Sequence, residues 1–121
     1  MKYLLAIYCN EETDAKQSQA EQSDVMNRYF AFSNSVQEAG VYVAGEALHP
    51  SSTATTVRVR DGKTLTTDGP FAESKEQFGG FYLVDCKNLD EAIQWAAKIP
   101  HAAQSAIEIR PVVDFSQVAT A

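Results

Sequence analysis

The side chains best suited to chemistry lie in the loops of this chain rather than in its apolar runs. His49 stands between a leucine and a proline, and Asp68 opens a charged loop. An imidazole titrates near neutrality and is therefore suited to proton transfer, and a carboxylate orients it wherever the two groups meet. We take His49 as the candidate catalytic acid or base and Asp68 as its orienting group. The alternative is that both are solvated loop residues; His101, which follows Pro100, is the less favoured histidine.

A second set of residues is suited to holding a ligand. Arg58 and Arg60 share one face of an alternating segment, where a guanidinium binds a carboxylate by paired hydrogen bonds. The loop 68–80 is dense in turn formers and charges, and long structured loops often form binding sites. The alternative is a solvated outer face beside a tethered loop. The candidate ligand-binding residues are Arg58, Asp68, Phe71, Glu73 and Lys75.

Other kinds of site are not indicated. The sequence has no phosphate-binding glycine loop, no nucleophile elbow and no metal-ligand spacing around Cys9 and Cys86, so we expect neither a cofactor nor a metal. The net charge of −6 argues against nucleic acid and anionic membranes as partners. No apolar run is long enough to span a bilayer, and Tyr3–Cys9 is too short for a signal-peptide core. We therefore expect a cytoplasmic protein with two free thiols, a redox role for them being the alternative.

Apolar periodicity indicates the strands that must position these residues. The segments 2–9 and 79–86 are apolar on both alternating faces, which is typical of strands covered on two sides. Asp61-Gly62 is a strong signal for a tight hairpin turn. The remaining predicted strands are 41–48, 55–60, 63–67 and 106–113.

Two helices are predicted between the strands. Capping boxes at Ser18–Glu21 and Asn88–Glu91 begin them, and Gly40 and Pro100 end them. The first helix carries an apolar stripe, which we assign to the core. The stripe consists of Val25, Tyr29, Phe32 and Val36. Residues 10–17, before this helix, are predicted to be a loop.

This order of elements predicts an α+β fold of the ferredoxin-like βαββαβ class with an inserted β-hairpin. One domain is expected over residues 1–115, with a C-terminal tail at 116–121. Two helices cover only one face of such a sheet, and each apolar side chain left on the other face is worth about 1.5–3 kcal/mol when buried. We therefore expect a homodimer that pairs sheet on sheet.

Residues 68–83, DGPFAESKEQFGGFYL, resemble the signature of the DGPF-domain proteins of the YciI-like (YCII-related) family. The segments Lys2–Ile7, Ala54–Gly62 and Asn88–Pro111 are also similar to that family. The resemblance implies a dimeric α+β barrel and, for some members, an association with extracytoplasmic-function sigma factors. It implies no settled activity.

The resemblance also implies a catalytic dyad, but this chain lacks both of its residues at the corresponding positions. Shorter YciI-type relatives have a histidine in the first helix and an aspartate just before the proline that follows the second helix. Here the first helix has no histidine, and Lys98-Ile99 precede Pro100. Acid–base chemistry therefore has to use other residues.

Three classes of function remain open from the sequence. The first is a small-molecule-binding sensor or accessory dimer that serves a sigma factor. The second is a cofactor-independent enzyme of the isomerase, lyase or oxygenase type. In it His49 transfers protons, Asp68 orients His49, and Arg58 would hold a small organic substrate that is an anion. The third is a purely structural dimer with a filled interface between its sheets.

Overall fold

Six strands in two antiparallel sheets carry the α+β fold in residues 1–118, the part of the chain that the computed structural model describes. Short 3₁₀ turns lie at Ser51–Thr53 and Pro100–Ala102. The strands are β1 (Lys2–Cys9), β2 (Tyr42–Ala47), β3 (Thr55–Arg60), β4 (Lys63–Asp68), β5 (Gln77–Asp85) and β6 (Ala106–Pro111). The helices are α1 (Glu11–Ala15), α2 (Gln19–Glu38), α3 (Leu89–Ala96) and α4 (Phe115–Val118).

The four-stranded sheet has the order β2-β5-β1-β6, as a ferredoxin-like fold requires. The two strands that are apolar on both faces, β1 and β5, are the central ones, and this prediction is confirmed. Leu5 pairs with Tyr82 on one side and with Ile109 on the other. The register brings the first strand of the chain against its last, so segments distant in sequence meet at the same ends of the sheet.

The core lies between one face of this sheet and the helices α2 and α3. Alternate residues of β1 point into it, and Leu5 is fully buried there. Val36 of α2 and Val84 of β5 are equally buried, and Ile99 is 1% exposed. The predicted stripe therefore does supply core contacts, although only Phe32 and Val36 of its members are fully inside.

The opposite face of the sheet carries apolar side chains that are only half covered. Leu4 and Tyr8 of β1 and Phe81 and Leu83 of β5 each remain partly exposed. Because α2 and α3 pack on the other face, these side chains have fewer packing partners than a core residue has.

The hairpin β3–β4 forms the second sheet, and within residues 1–118 its two strands pair only with each other. Asp61 and Gly62 both have positive φ angles, 53° and 75°, which confirms the predicted tight turn. Val57 and Val59 are 60% and 59% exposed. A two-stranded hairpin is only marginally stable by itself. Burial of these exposed valines would therefore stabilise it.

The prediction of a loop over residues 10–17 is wrong, because α1 occupies Glu11–Ala15. Asn10 caps this helix: its side chain accepts a hydrogen bond from the backbone N–H of Thr13 at 3.0 Å. Acidic residues in the first turn add a favourable interaction with the helix dipole. A helix this short has no amphipathic stripe, so periodicity gave no sign of it.

Two smaller differences concern the loop and the tail. The expected loop 68–80 is shorter, because β4 extends to Asp68 and β5 already begins at Gln77. In the segment expected as a tail, Phe115–Val118 forms one helical turn. Residues 119–121 of that predicted tail lie outside the described residues.

The buried thiol of Cys86 predicts a loss of stability in alkali. Both cysteines are free, as expected, and burial, followed by the nearby Glu91, raises the pKa of Cys86 to about 11. A native pKa above the unfolded value of 9.0 favours the native state below that value, and this contribution is lost as the pH rises towards 11. Urea unfolding should show a free energy of unfolding that falls from pH 9 to 11, less steeply in Cys86→Ala. An equally steep fall in that variant would assign the effect to other groups.

Candidate functional site

A cavity of about 690 Å³ lies where α1 and the first half of α2 face the sheet. Sites for small organic molecules commonly measure about 300–1,000 Å³. Its apolar lining comes from both layers: Ile7 from β1, and Val25, Met26 and Phe30 from α2. Met26 and Phe30 are 55% and 59% exposed, so they lie at the open side of the cavity. The volume and the lining fit a small molecule with an apolar body.

Three polar side chains of the cavity wall form a continuous hydrogen-bonded chain. The Nε2 atom of His101 lies 3.0 Å from Oδ2 of Asp14, and its Nδ1 atom lies 2.5 Å from the hydroxyl of Tyr29. All three residues line the cavity. The imidazole is largely buried, with 15% of its side chain exposed, and the carboxylate is 29% exposed. We call these residues the Asp14–His101–Tyr29 triad.

The hydrogen bonds restrict where the imidazole protons lie. An ionised carboxylate only accepts hydrogen bonds, so Nε2 of His101 carries a proton and donates it to Asp14. In the neutral ring Nδ1 then accepts from the hydroxyl of Tyr29, and in the cationic ring it donates to the hydroxyl oxygen. The triad therefore accommodates both protonation states of His101 without moving a heavy atom.

Tyr29 stays a neutral phenol over the physiological range. Burial, which outweighs the hydrogen bond with His101, raises the pKa of the Tyr29 hydroxyl well above its ordinary value of 10. The ionised tyrosinate form is consequently disfavoured. Tyr29 can therefore take up or release a proton only if a second proton moves between its hydroxyl and Nδ1 of His101 in the same step.

The helix that carries Asp14 is fixed at its first turn. The carboxylate of Glu11 accepts hydrogen bonds from the backbone N–H and the hydroxyl of Ser51, at 2.7 and 2.8 Å. The backbone N–H of Glu11 in turn donates to Oε1 of Gln77 at 3.0 Å. Contacts to both the Ser51 turn and the start of β5 hold α1 over the sheet and bring Asp14 to His101.

Close backbone approach shapes the floor of the cavity. A Cβ at Gly45 would lie 2.9 Å from the ring of Tyr82, and one at Gly80 would lie 2.8 Å from the carbonyl oxygen of Glu46. Glycine at position 45 lets the Tyr82 ring lie against β2, and glycine at position 80 lets the backbones of β5 and β2 approach closely. Its hydroxyl is hydrogen-bonded to that of Ser33 at 2.8 Å. Burial raises the pKa of Tyr82, so this second tyrosine is also a neutral donor.

The residues predicted to be catalytic do not meet at this cavity. His49 is exposed after β2, and Asp68 is exposed at the end of β4. Neither lines the cavity, and within residues 1–118 no hydrogen bond joins them.

The predicted ligand-binding residues lie mainly on or near the hairpin, away from the cavity. Arg58 and Phe71 are brought together, with the guanidinium carbon 4.8 Å from the centre of the ring. Glu73 and Lys75 are exposed in the loop that follows β4. None of the four lines the cavity.

Sequence reasoning missed the triad for identifiable reasons. Asp14 was placed in a loop, Tyr29 was assigned to the apolar stripe, and His101 was the less favoured histidine. One signal was available. In the dyad that the resemblance implies, a histidine lies in the first helix and an aspartate just before the proline that follows the second. Here Asp14 lies in α1 and His101 follows Pro100, so a carboxylate and an imidazole occur near these two regions in the opposite order.

In residues 1–118 no group of three or more His, Cys, Asp and Glu side chains is placed to hold a metal ion. Each helix in these residues is too short or too polar to traverse a bilayer.

Comparison with known proteins assigns the chain to a family. The YCII-related domain matches residues 1–116. An uncharacterised protein of Rhizobium meliloti (strain 1021) is 39% identical over 114 residues, which cover 93% of this chain and 92% of that protein. The extent of the domain match and the length of the aligned relative lead to one conclusion: this chain belongs to the YCII-related domain family.

Proposed function

We propose that this protein binds a small organic molecule in the cavity and catalyses proton transfer on it through the Asp14–His101–Tyr29 triad. The observation that carries the proposal is the hydrogen-bonded chain itself, in which a carboxylate, an imidazole and a phenol all lie on the wall of one cavity. A base held by a third group, within hydrogen-bond reach of a hydroxyl, is the arrangement that acid–base and nucleophilic sites share.

The triad supports proton transfer in both directions. With His101 neutral, the hydroxyl of Tyr29 gives its proton to Nδ1 as its oxygen takes one from the substrate. With His101 protonated, the hydroxyl gives its proton to the substrate and is restored by the proton on Nδ1. Tyr29 is neutral before and after each step, as its raised pKa requires. Asp14 keeps the ring oriented and stabilises its cationic form.

The test is to incubate the protein with a metabolite library, to identify stabilising compounds by thermal shift, and to follow each by mass spectrometry and proton NMR. Because proton transfer alone leaves the mass unchanged, incubation in D₂O is needed to reveal exchange at a substrate carbon. The proposal expects at least one stabilising compound to be converted or to exchange hydrogen for deuterium. If none of the compounds that stabilise the protein underwent either change, the enzymatic proposal would be contradicted.

A second candidate is a sensor or accessory protein that binds its ligand without changing it, such as one associated with a sigma factor. One observation favours it: both ring nitrogens of His101 already have partners in Asp14 and Tyr29, so the imidazole has no free nitrogen for a substrate. The same experiment separates the candidates, since a sensor would give stabilisation without exchange.

We further propose that the protein is a homodimer whose sheets face each other, as in a dimeric α+β barrel. The partly exposed Leu83 and Phe81 on the open face support this proposal, as do the exposed valines of the hairpin. Light scattering should give about twice the 13.3 kDa mass of the chain. Leu83→Asp should give the monomer, whereas Leu89→Asp, at an exposed site on α3, should remain dimeric. A wild-type mass of 13.3 kDa would contradict the proposal.

A further inference from the structure

We infer that the ligand of the cavity is a small organic cation, a protonated amine on an apolar body, rather than an anion. This inference rests on the proposed binding function of the cavity and adds the charge of the molecule it selects. It follows from the charges on the wall, from the aromatic rings beside them and from the partners that each charged group already has.

In residues 1–118 the charged side chains on the cavity wall, apart from the imidazole of His101, are carboxylates. Glu11 and Asp14 of α1 and Glu46 of β2 line it, and no lysine or arginine among these residues does. Glu11 is held by the backbone N–H and hydroxyl of Ser51, and Asp14 by the ring of His101. Neither carboxylate has a guanidinium or a lysine ammonium beside it, so their negative charge acts on whatever enters the cavity.

The thiol of Cys9, on the same wall, is affected by these negative charges. Burial is the largest cause of its raised pKa, and the carboxylates of Asp14, Glu11 and Glu76 raise the pKa further, in decreasing order of effect. A negative charge at the thiolate position is therefore disfavoured, and the carboxylate of a ligand would meet the same repulsion in this cavity.

An anionic ligand would also lack a cationic partner. The one basic side chain on this wall in residues 1–118 is His101, whose two nitrogens are bound to Asp14 and Tyr29. Arg58, the residue expected to hold a carboxylate, lies against Phe71 near the hairpin instead. A buried anion without a paired cation carries an uncompensated desolvation cost.

Aromatic rings complete a surface suited to a cation. Tyr29, Phe30, Tyr42 and Tyr82 all line the cavity, and the rings of Tyr42 and Tyr82 lie 6.4 Å apart in an edge-to-face arrangement. The faces of such rings attract ammonium groups, and the effect grows when the cation is desolvated. Carboxylates on one wall and rings around them together favour an amine with an apolar body.

The experiment compares three probes of one shape and different charge: 2-(2-naphthyl)ethylamine, 2-(2-naphthyl)ethanol and 2-naphthylacetate. Their affinities for the wild-type protein are measured by NMR titration at neutral pH. We expect the amine to bind about tenfold more tightly than the acetate, with the alcohol between them. Glu11→Gln should weaken the amine by about three- to tenfold and leave the alcohol nearly unchanged. Asp14→Asn is the second variant, with the same expectation.

Glu12→Gln is the matched control, because it removes one charge from the same helix at an exposed residue that does not line the cavity. It should change the affinity for the amine less than about twofold. The inference would be overturned if 2-naphthylacetate bound as tightly as the amine, or if Glu11→Gln and Glu12→Gln changed the affinity for the amine equally. The proposed function would still stand in either case, since the alcohol would still bind. If no probe bound, the proposed binding function of the cavity and the inference about its ligand would both be contradicted.

Discussion

Turnover of the bound molecule should fall at least about 100-fold in Tyr29→Phe, because positioned acid–base groups contribute on the order of 10²–10⁴ to a rate. The substitution removes only the hydroxyl that lies 2.5 Å from His101 and keeps the ring in the cavity wall. Ligand binding should therefore stay within about threefold, since most of the apolar contact area remains. Steady-state rates and a thermal-shift titration with the same compound measure the two effects separately.

Tyr42→Phe is the control for this prediction. Tyr42 also lines the cavity and loses the same atom, but it lies outside the triad. Its turnover should stay close to that of the wild type. Equal losses in the two variants would mean that removing either hydroxyl from the wall has the same effect, and that the triad has no special role. A rate unchanged in Tyr29→Phe would exclude Tyr29 from the reaction.

The largest effect on stability is expected from Leu5→Ala, which should lower the free energy of unfolding by about 3 kcal/mol. Leu5 is fully buried in the central strand β1, between Tyr82 of β5 and Ile109 of β6. Removing its side chain leaves a space that strands fixed by hydrogen bonds on both sides cannot close. Urea denaturation monitored by circular dichroism measures the change.

Leu89→Ala is the comparison for the same loss of atoms at an exposed site. Leu89 begins α3 and is 49% exposed, so this variant should lose less than about 1 kcal/mol. Similar losses at the two positions would show that β1 is not the centre of the core.

Much of the fold could be predicted from local patterns. The strands β1 and β5 were recognisable because both of their faces are apolar, and that property also gave their central places in the sheet. The capping box at Ser18 and Glu21 forms as expected, and Gly40, with a φ of 74°, follows the end of α2. Each of these signals lies within a few residues of the feature it determines.

The triad could not be predicted in the same way, because its members come from opposite ends of the chain. Asp14 and His101 are 87 residues apart and meet because β6 pairs with β1. The contact also depends on α1, a helix too short to show a period. The sequence favours His49 because Asp68 could orient its imidazole if the two loops met, whereas the structure gives two partners to His101, which is nearly enclosed. Partners of this kind become visible only once the sheet order is known.

The sheet order has a consequence for synthesis on the ribosome. β1 leaves the ribosome before both of its neighbours, β5 and β6, which lie in the later half of the sequence. Until Gln77 and the residues after it leave the exit tunnel, an apolar ribbon has neither of its hydrogen-bonding partners. The four-stranded sheet should therefore form late in translation, after β5 has left the exit tunnel, whereas the locally stabilised helix α2 and hairpin β3–β4 can form earlier.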